Sequence, residues 1–506
     1  MMNVLVSAIC VLFLATIIFC ILVIPVLTTT FPLKNTDAVM FTLTQNIDGS
    51  RDFLISLVMD VVVKSIALSI LSLLAIVVVL LVFRFLQKKH SFKFGSRLTF
   101  KRLIVTLNVI CFAILAKNVY SNVPVVDYYV KWKDSLITPG HSDFYIKEYI
   151  NPDSVHIEFN EKKNLILIFL ESMEYNFQDS TNDGNLSENL IPEITELLKS
   201  EQSFIPGGTQ VAGMGWTMAD AVAKTCAIPL MFPPSISNTW APLESFLPGV
   251  TCLTDVLAEN GYDIIVSQGS NMKFASMDGF LKTHKAPNYY DLLKYSKDDR
   301  VRKDSLAQWG VKDMMLYELV KEHIKKLSDN EGPWMMWFFT IDTHTPGYLD
   351  PRCFADSVDD KKNDMQLSIR CASQQIDAFI KWAKTQEWFN STVIAVMGDH
   401  ASMAAPESVG FKKANITHYW LDFFINSKRA AENYSRKFTS LDMFPTILEA
   451  MGAEIPNGTL GLGRSLYSSA PTLLEKYGRD SLNKALNTRS VEYDSFLYYE
   501  RKDTVQ

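Results

Sequence analysis

Basic residues are outnumbered in this chain. Lys and Arg total 49 against 55 Asp and Glu, a formal charge of −6. That balance gives a polyanion no electrostatic footing, so no nucleic-acid partner is expected. Cysteine is sparse, with seven among 506 residues and no CxxC pair. Structural zinc modules are built on such pairs, so that class is set aside. Internal repeats and low-complexity tracts are missing, which removes solenoid arrays and biased tails. Long apolar runs are missing after about residue 120, although 48% of all residues are hydrophobic.

The apolar excess lies before that point. Three segments, at about 4–28, 62–86 and 102–120, are apolar enough to cross a bilayer, which takes roughly 20 residues each. The first has no basic n-region and no obvious small-residue cleavage site, which argues against a signal peptide. Between the second and third, Arg84, Lys88, Lys89, Lys93, Arg97, Lys101 and Arg102 cluster. The positive-inside rule puts that loop in the cytoplasm and everything after about residue 120 outside. Asp60 and Lys64 border the second segment, where snorkelling accommodates them.

Cysteine placement agrees with this orientation. Cys10, Cys20 and Cys111 fall in the apolar segments, and Cys226, Cys252, Cys353 and Cys371 fall outside. An even number in an oxidising compartment suits disulfides. Chain proximity favours Cys226–Cys252 and Cys353–Cys371 among three possible pairings, with free thiols as the alternative. Residues 121–160 mix Tyr128, Tyr129, Trp132 and Tyr145 with Lys131, Lys133 and Lys147. Such a mixture suits a headgroup zone, and an ordinary polar linker fits it equally well.

From about residue 161 apolar strands alternate with helical patterns. The strand candidates are 164–170, 263–267, 334–341, 392–398 and 421–426. Helical patterns occupy 191–200, 252–261, 365–386 and 441–452. Continuous apolar strands between helices predict a mostly parallel sheet covered on both faces. Ligands then bind beyond the carboxyl ends of the strands.

Polar residues stand at those ends. NLILIFL runs into Glu171 and Ser172, and TVIAVMG runs into Asp399 and His400. A carboxylate ending a buried strand needs a cation or hydrogen-bond donors. Asp and His together supply ligands for Zn²⁺ or Mn²⁺. Thr217 follows Gly213 and Gly215 at the start of a helical pattern, where backbone N–H groups attract phosphate. A metal ion could activate its hydroxyl as a nucleophile; the plainer role is a helix cap. His344, past a third strand, could protonate a leaving alkoxide or bind phosphate; the plainer role is a loop histidine. Lys273 and His284 are weaker candidates for phosphate contact. Trp216 could wall a headgroup pocket or simply pack in the core, and His418 is a minor candidate.

The segments KNLILIFLESMEYNF, GMGWTMADAVAKTCAIPL, TIDTHTPGY and TVIAVMGDHASM resemble the motifs of membrane phosphoglycerol transferases. The likeness extends more distantly to lipoteichoic acid synthases, all within the alkaline phosphatase/sulfatase-like superfamily. It covers about residues 160–466, including LDMFPTILEAMG and GLGRSL. The resemblance implies N-terminal transmembrane helices followed by an α/β alkaline-phosphatase-like domain. It implies that Glu171, Thr217, Asp399 and His400 hold a divalent metal, Mn²⁺ or Zn²⁺ with Mg²⁺ also admissible. Thr217 is then also the nucleophile, and His344 binds the headgroup or transfers a proton. Lys273 falls near a position where relatives carry Arg. The three spans depart from relatives with four or five. Neither Thr217 nor Cys226 stands in the C/S-x-P-x-R context that formylglycine sulfatases require.

The expected organisation is a membrane domain at 1–120, an interfacial linker at 121–160, an extracytoplasmic catalytic domain at 161–470 and a polar tail at 471–506. The expected function is phosphoglycerol transfer from phosphatidylglycerol to a glycan hydroxyl of the cell envelope. It would run through a phosphothreonine at the outer face of a bacterial inner membrane and release diacylglycerol. Phosphoethanolamine transfer to lipid A or a glycan uses the same residues and stays open. A non-catalytic membrane scaffold of the same fold is the alternative of another class.

Overall fold

The computed structural model describes residues 96–498, apart from 136–137, 232–244, 355–361, 405, 412–415 and 430–434; before residue 96 it describes only scattered positions. The first two expected spans lie for the most part outside the described residues. The chain divides into two compact units, one ending at Lys133 and the other covering Asp134–Gln506.

In the first unit, helix α1 (Ser96–Asn122) contains the third expected span. Val105, Val109, Ile110, Phe112 and Ile114 are exposed along it. Among the described residues no single helix is long and apolar enough to cross a membrane. A bent pair, Asn108–Asn122 with Val125–Lys133, meets that measure together across a 64° break. Helix α2 (Val125–Ser135) follows and exposes Val126, Tyr129 and Trp132.

The second unit is built on a seven-stranded sheet. Its strands are β1 (Asn164–Leu170), β2 (Gln202–Ser203), β3 (Asp263–Gln268), β4 (Tyr289–Tyr290), β5 (Trp334–Phe339), β6 (Thr392–Gly398) and β7 (Asp422–Ile425). Their spatial order is β2-β7-β6-β1-β5-β3-β4. Strands β6, β1, β5, β3 and β4 run parallel. Strand β7 pairs antiparallel with both β6 and β2. The sheet is therefore mixed, with six of its seven strands sharing one direction as a mostly parallel sheet requires, and β7 alone reversed. Hydropathy gives a strand's burial and carries no sign for its direction, so β7 reads from sequence like the others.

Central strands are buried on both faces, and this is why they read as unbroken apolar runs. Leu165 to Leu170 and Val393 to Met397 are fully buried. Each large side chain among them contributes about 1.5–3 kcal/mol by leaving water. Ile166, Ile168 and Leu170 join one core with helices α3 (Pro192–Ser200), α6 (Asp313–Ser328) and α7 (Asp364–Ala383). The opposite face is covered by α4 (Thr217–Cys226), with α5 (Leu253–Glu259) and α8 (Met443–Ala450) packed beside it.

Both favoured disulfides form. Cys226–Cys252 joins the end of α4 to the start of α5, and Cys353–Cys371 ties the loop after β5 to α7. The stretch read from sequence as a polar tail is folded into the helices Leu473–Tyr477, Arg479–Leu486 and Val491–Tyr498. Buried Glu148 holds it, accepting from Lys476 and Tyr477 at 2.7 Å each and pairing with Arg464 at 3.2 Å.

Candidate metal and phosphate site

Register places the site. Leu170 of β1 and Gly398 of β6 are direct partners, so the residues that follow leave the sheet side by side. Gly398 allows the next loop to close over it: a Cβ there would lie 2.0 Å from the Met173 carbonyl oxygen. Ser172 takes a left-handed φ of 51°, uncommon for a residue with a side chain. It turns the chain so that the Ser172 N–H donates to Asp399 Oδ1 at 2.7 Å.

Glu171, Asp399 and His400 are all buried, with ligand atoms within 4.8 Å of one another. Glu171 N–H donates to Thr340 Oγ1 at 2.9 Å, and Ser172 Oγ donates to Glu171 Oε1 at 2.6 Å. Thr343, in the loop after the neighbouring strand β5, donates to the Glu171 carbonyl at 2.5 Å. Asp399 Oδ1 also accepts from His400 N–H at 2.8 Å. Asp399 Oδ2 is buried without a hydrogen bond; His400 Nε2 stands 3.4 Å away. His400 Nδ1 faces the Ala401 carbonyl at 2.9 Å and must carry a proton there. That leaves Nε2 turned to the carboxylates, 3.6 Å from Glu171 Oε1.

Thr217 completes the group. Its Oγ1 lies 3.2 Å from Glu171 Oε2 and 3.4 Å from His400 Nε2. It is the first residue of α4, whose cap residue is Trp216 and whose N-terminus has no side-chain cap. The hydroxyl is thus spent on the cluster and not on capping. The positive end of the helix points the same way.

Electrostatics show what the cluster needs. Burial first, and then the charge of Glu171, push the Asp399 carboxyl up to about 7. Burial opposes charge on the His400 ring, yet Asp399 and Glu171 raise its pKa. Two carboxylates packed without water repel one another, and a cation relieves them. An orphaned carboxylate oxygen, a second carboxylate, one imidazole nitrogen and a hydroxyl form a donor set that fits a divalent metal.

The other expected residues divide. His344 is half-buried, with Nδ1 facing the Thr345 carbonyl at 3.1 Å; its loop reaches the cluster through Thr343. Trp309 packs 4.5 Å from the His344 ring, and Phe274 packs 5.6 Å from Trp309. Lys273 is exposed beside Phe274, so its loop is brought toward His344. Trp216 is 6% exposed and packs in the core. His284, expected to contact phosphate, is held elsewhere. Its Nδ1 meets Asp255 Oδ2 at 2.7 Å and its Nε2 meets the Phe246 carbonyl at 3.0 Å. Both nitrogens face acceptors, which leaves none for a substrate. Cys252 also lies within ligand distance of Asp255 and His284, but it is committed to a disulfide.

Two residues were underweighted by sequence. Trp309 has no motif of its own. His418 donates toward Glu174 Oε2 at 2.7 Å, while Glu174 Oε1 accepts from Ser402 N–H at 2.8 Å. Glu174 thereby links the loops after β1 and β6, and its hydrogen bond raises the His418 pKa.

Comparison with known proteins gives the family and the fold. The sulfatase family model matches residues 163–453, more than half of the chain. Phosphoglycerol transferase I of Salmonella choleraesuis (strain SC-B67) is 32% identical over 317 residues, covering 61% of this chain and 39% of that protein. The same-named protein of Escherichia coli (strain 55989 / EAEC) is 32% identical over 315 residues, with the same 61% and 39% shares. The chain thus spans about two-fifths of the length of the curated relatives it matches. A protein in the alkaline phosphatase superfamily from Vibrio parahaemolyticus superposes with a TM-score of 0.50 at 20% identity, covering 69% of this chain and 80% of that one. That likeness is one of fold.

Proposed function

The chain belongs to the sulfatase family, and from that premise we propose that it is a metal-dependent phosphotransferase. It moves phosphoglycerol from phosphatidylglycerol to a hydroxyl of a cell-envelope glycan. The observation that carries this reading is Thr217 Oγ1 at a helix N-terminus, 3.2 Å from Glu171 Oε2 and 3.4 Å from His400 Nε2. A hydroxyl so placed is the nucleophile of a two-step displacement. The name of the curated relatives favours glycerol phosphate as the group transferred.

Glu171, Asp399, His400 and Thr217 would hold the metal. Bound there, a divalent cation lowers the pKa of a coordinated hydroxyl and offsets charge on phosphate oxygens. Thr217 directs its proton at Glu171 Oε2. Its oxygen forms a bond to phosphorus while the bond to the diacylglycerol oxygen breaks. His344 Nε2 supplies the proton that the departing alkoxide takes up. The N–H groups opening α4 stabilise the equatorial oxygens. An acceptor hydroxyl then attacks the phosphothreonine and gives its proton to His344, while the bond from phosphorus to Thr217 Oγ1 breaks and Thr217 takes its own proton back from Glu171.

In this reading residues 1–120 form the membrane domain, 121–160 the interfacial linker and 161–470 the extracytoplasmic catalytic domain. The basic cluster from Arg84 to Arg102 supports that orientation. A tether of this kind holds the site near the headgroups at high effective concentration.

The test uses full-length protein in liposomes with Mn²⁺ or Zn²⁺. Vesicles contain phosphatidylglycerol or phosphatidylethanolamine, and diacylglycerol release is followed with and without a glycan acceptor. Release from phosphatidylglycerol supports the reading. Release from phosphatidylethanolamine alone reassigns the donor, and release from neither overturns the transferase.

A further inference from the structure

We propose that Lys224 is a positioning residue that sets Thr217 against the metal ligands. Thr217, Asp220 and Lys224 stand at i, i+3 and i+7 along α4, on one face of the helix. The first faces Glu171 and His400. The last is fully buried and grips the end of β6.

Its ammonium group donates to Asp220 Oδ2 at 2.5 Å, to the Gly398 carbonyl at 2.6 Å and to the Asp399 carbonyl at 3.3 Å. Three hydrogens meet three acceptors, so the group is satisfied without water. The rings of Trp420 and Phe169 lie 4.9 and 5.6 Å from Nζ, within the range of cation–π attraction. Asp220 is anchored in turn by Ser440, which donates to its other oxygen.

The two carbonyls are informative. They belong to the peptide units on either side of the Asp399 α-carbon. Holding both fixes the direction in which Asp399 leaves the strand and the path of the chain into His400. The same helix carries Thr217 seven residues earlier, about 10 Å along a rigid axis. One side chain therefore links the nucleophile's helix to the strand end that bears two ligands.

A buried ion pair that only filled the core would explain the burial and not these acceptors. Apolar replacements of buried pairs are often neutral for stability. What they cannot do is hold the Gly398 and Asp399 carbonyls. Residues that orient ligands from behind typically alter metal affinity or activity by about 10–100-fold when removed.

The inference rests on the metal and Thr217 reading above, and the test separates the two. Full-length wild type, Lys224→Met and the double variant Asp220→Asn/Lys224→Met are compared in detergent. The double variant removes the Asp220 carboxylate that Lys224→Met alone would leave without its cation, while buried Asp422, which also faces the Lys224 charge, is treated alike in both variants, so the pair separates lost folding from lost positioning. Mn²⁺ titration gives affinity and site number, melting reports the fold, and kcat and KM are measured with phosphatidylglycerol. The expected result is Mn²⁺ affinity weakened about tenfold or more at unchanged site number, with kcat lowered and KM for the lipid unchanged. Lost folding would lower site number and leave affinity alone. Wild-type affinity and kcat in the folded double variant overturn the inference while sparing the metal reading. No Mn²⁺ or Zn²⁺ binding by wild type overturns both.

Discussion

Leu170 and Gly398 are partners in register at the ends of two parallel strands. Glu171 and Asp399 therefore enter the same space from adjacent strands, 228 positions apart in the chain. The sheet itself assembles the two carboxylates, and their mutual repulsion is a cost that folding without a cation must bear.

Divalent metal should stabilise the protein measurably. A ligand present at about 100 times its Kd adds roughly 2.7 kcal/mol. Melting of the wild type with Mn²⁺ should shift upward, and the shift should vanish with chelator. Asp399→Asn should abolish most of the shift. It should not lower the melting temperature of the metal-free protein, because it removes one of two opposed carboxylates.

His344→Gln should slow transfer from the lipid by about 10²–10⁴-fold, the usual contribution of a proton donor. The defect should shrink with a nitrophenyl ester of glycerol phosphate, whose leaving group needs no proton. Equal losses with both donors would assign His344 to binding.

Asp342, beside Thr343 and not itself a metal ligand, gives a pH signature of its own. Burial first, and then Asp313, push its carboxyl up to about 9. The Asp313 N–H donates to Asp342 Oδ2 at 3.0 Å, and Asp342 Oδ1 is buried without a partner. A raised carboxyl pKa means the folded state keeps a proton that the unfolded chain loses near pH 4. Stability from this group is full below about pH 4 and is lost as pH rises through about 9. Asp342→Asn should flatten the decline of stability across that window, as followed by denaturant titration at several pH values.

Gly398→Ala should destabilise by about 1–3 kcal/mol or more. Its Cβ would press on the Met173 carbonyl 2.0 Å away, and backbone there cannot retreat without moving Glu171. Activity should fall further than stability does, as compared from melting and turnover of the same sample.

Much of the site is legible in the sequence because its chemistry sits at the ends of strands. β1 and β6 begin and end where the apolar runs NLILIFL and TVIAVMG do, since full burial leaves no room for polar residues inside them. Thr217 opens its helix as expected after the turn at Gly213. The remainder depends on partners distant in sequence. The antiparallel course of β7 is set by its neighbours and not by its own pattern. His284 is decided by Asp255, 29 residues earlier, and Trp309 gains meaning only by packing on His344. Lys224 looks like any helix lysine until the β6 carbonyls are seen beneath it. The helices after residue 470 look polar because most of their faces meet water, and the few buried positions, such as Leu482 and Leu486, are too sparse to mark a core from sequence.

In the proposed reaction Thr217 takes up the phosphoryl group. Intact-protein mass, read after exposure of metal-loaded wild type and Thr217→Ala to phosphatidylglycerol vesicles without acceptor, tests it most directly. The expected result is a glycerol phosphate adduct on the wild type alone, mapped to Thr217 and discharged when a glycan acceptor is added. Diacylglycerol release with no adduct on Thr217, or the same release by Thr217→Ala, would contradict it.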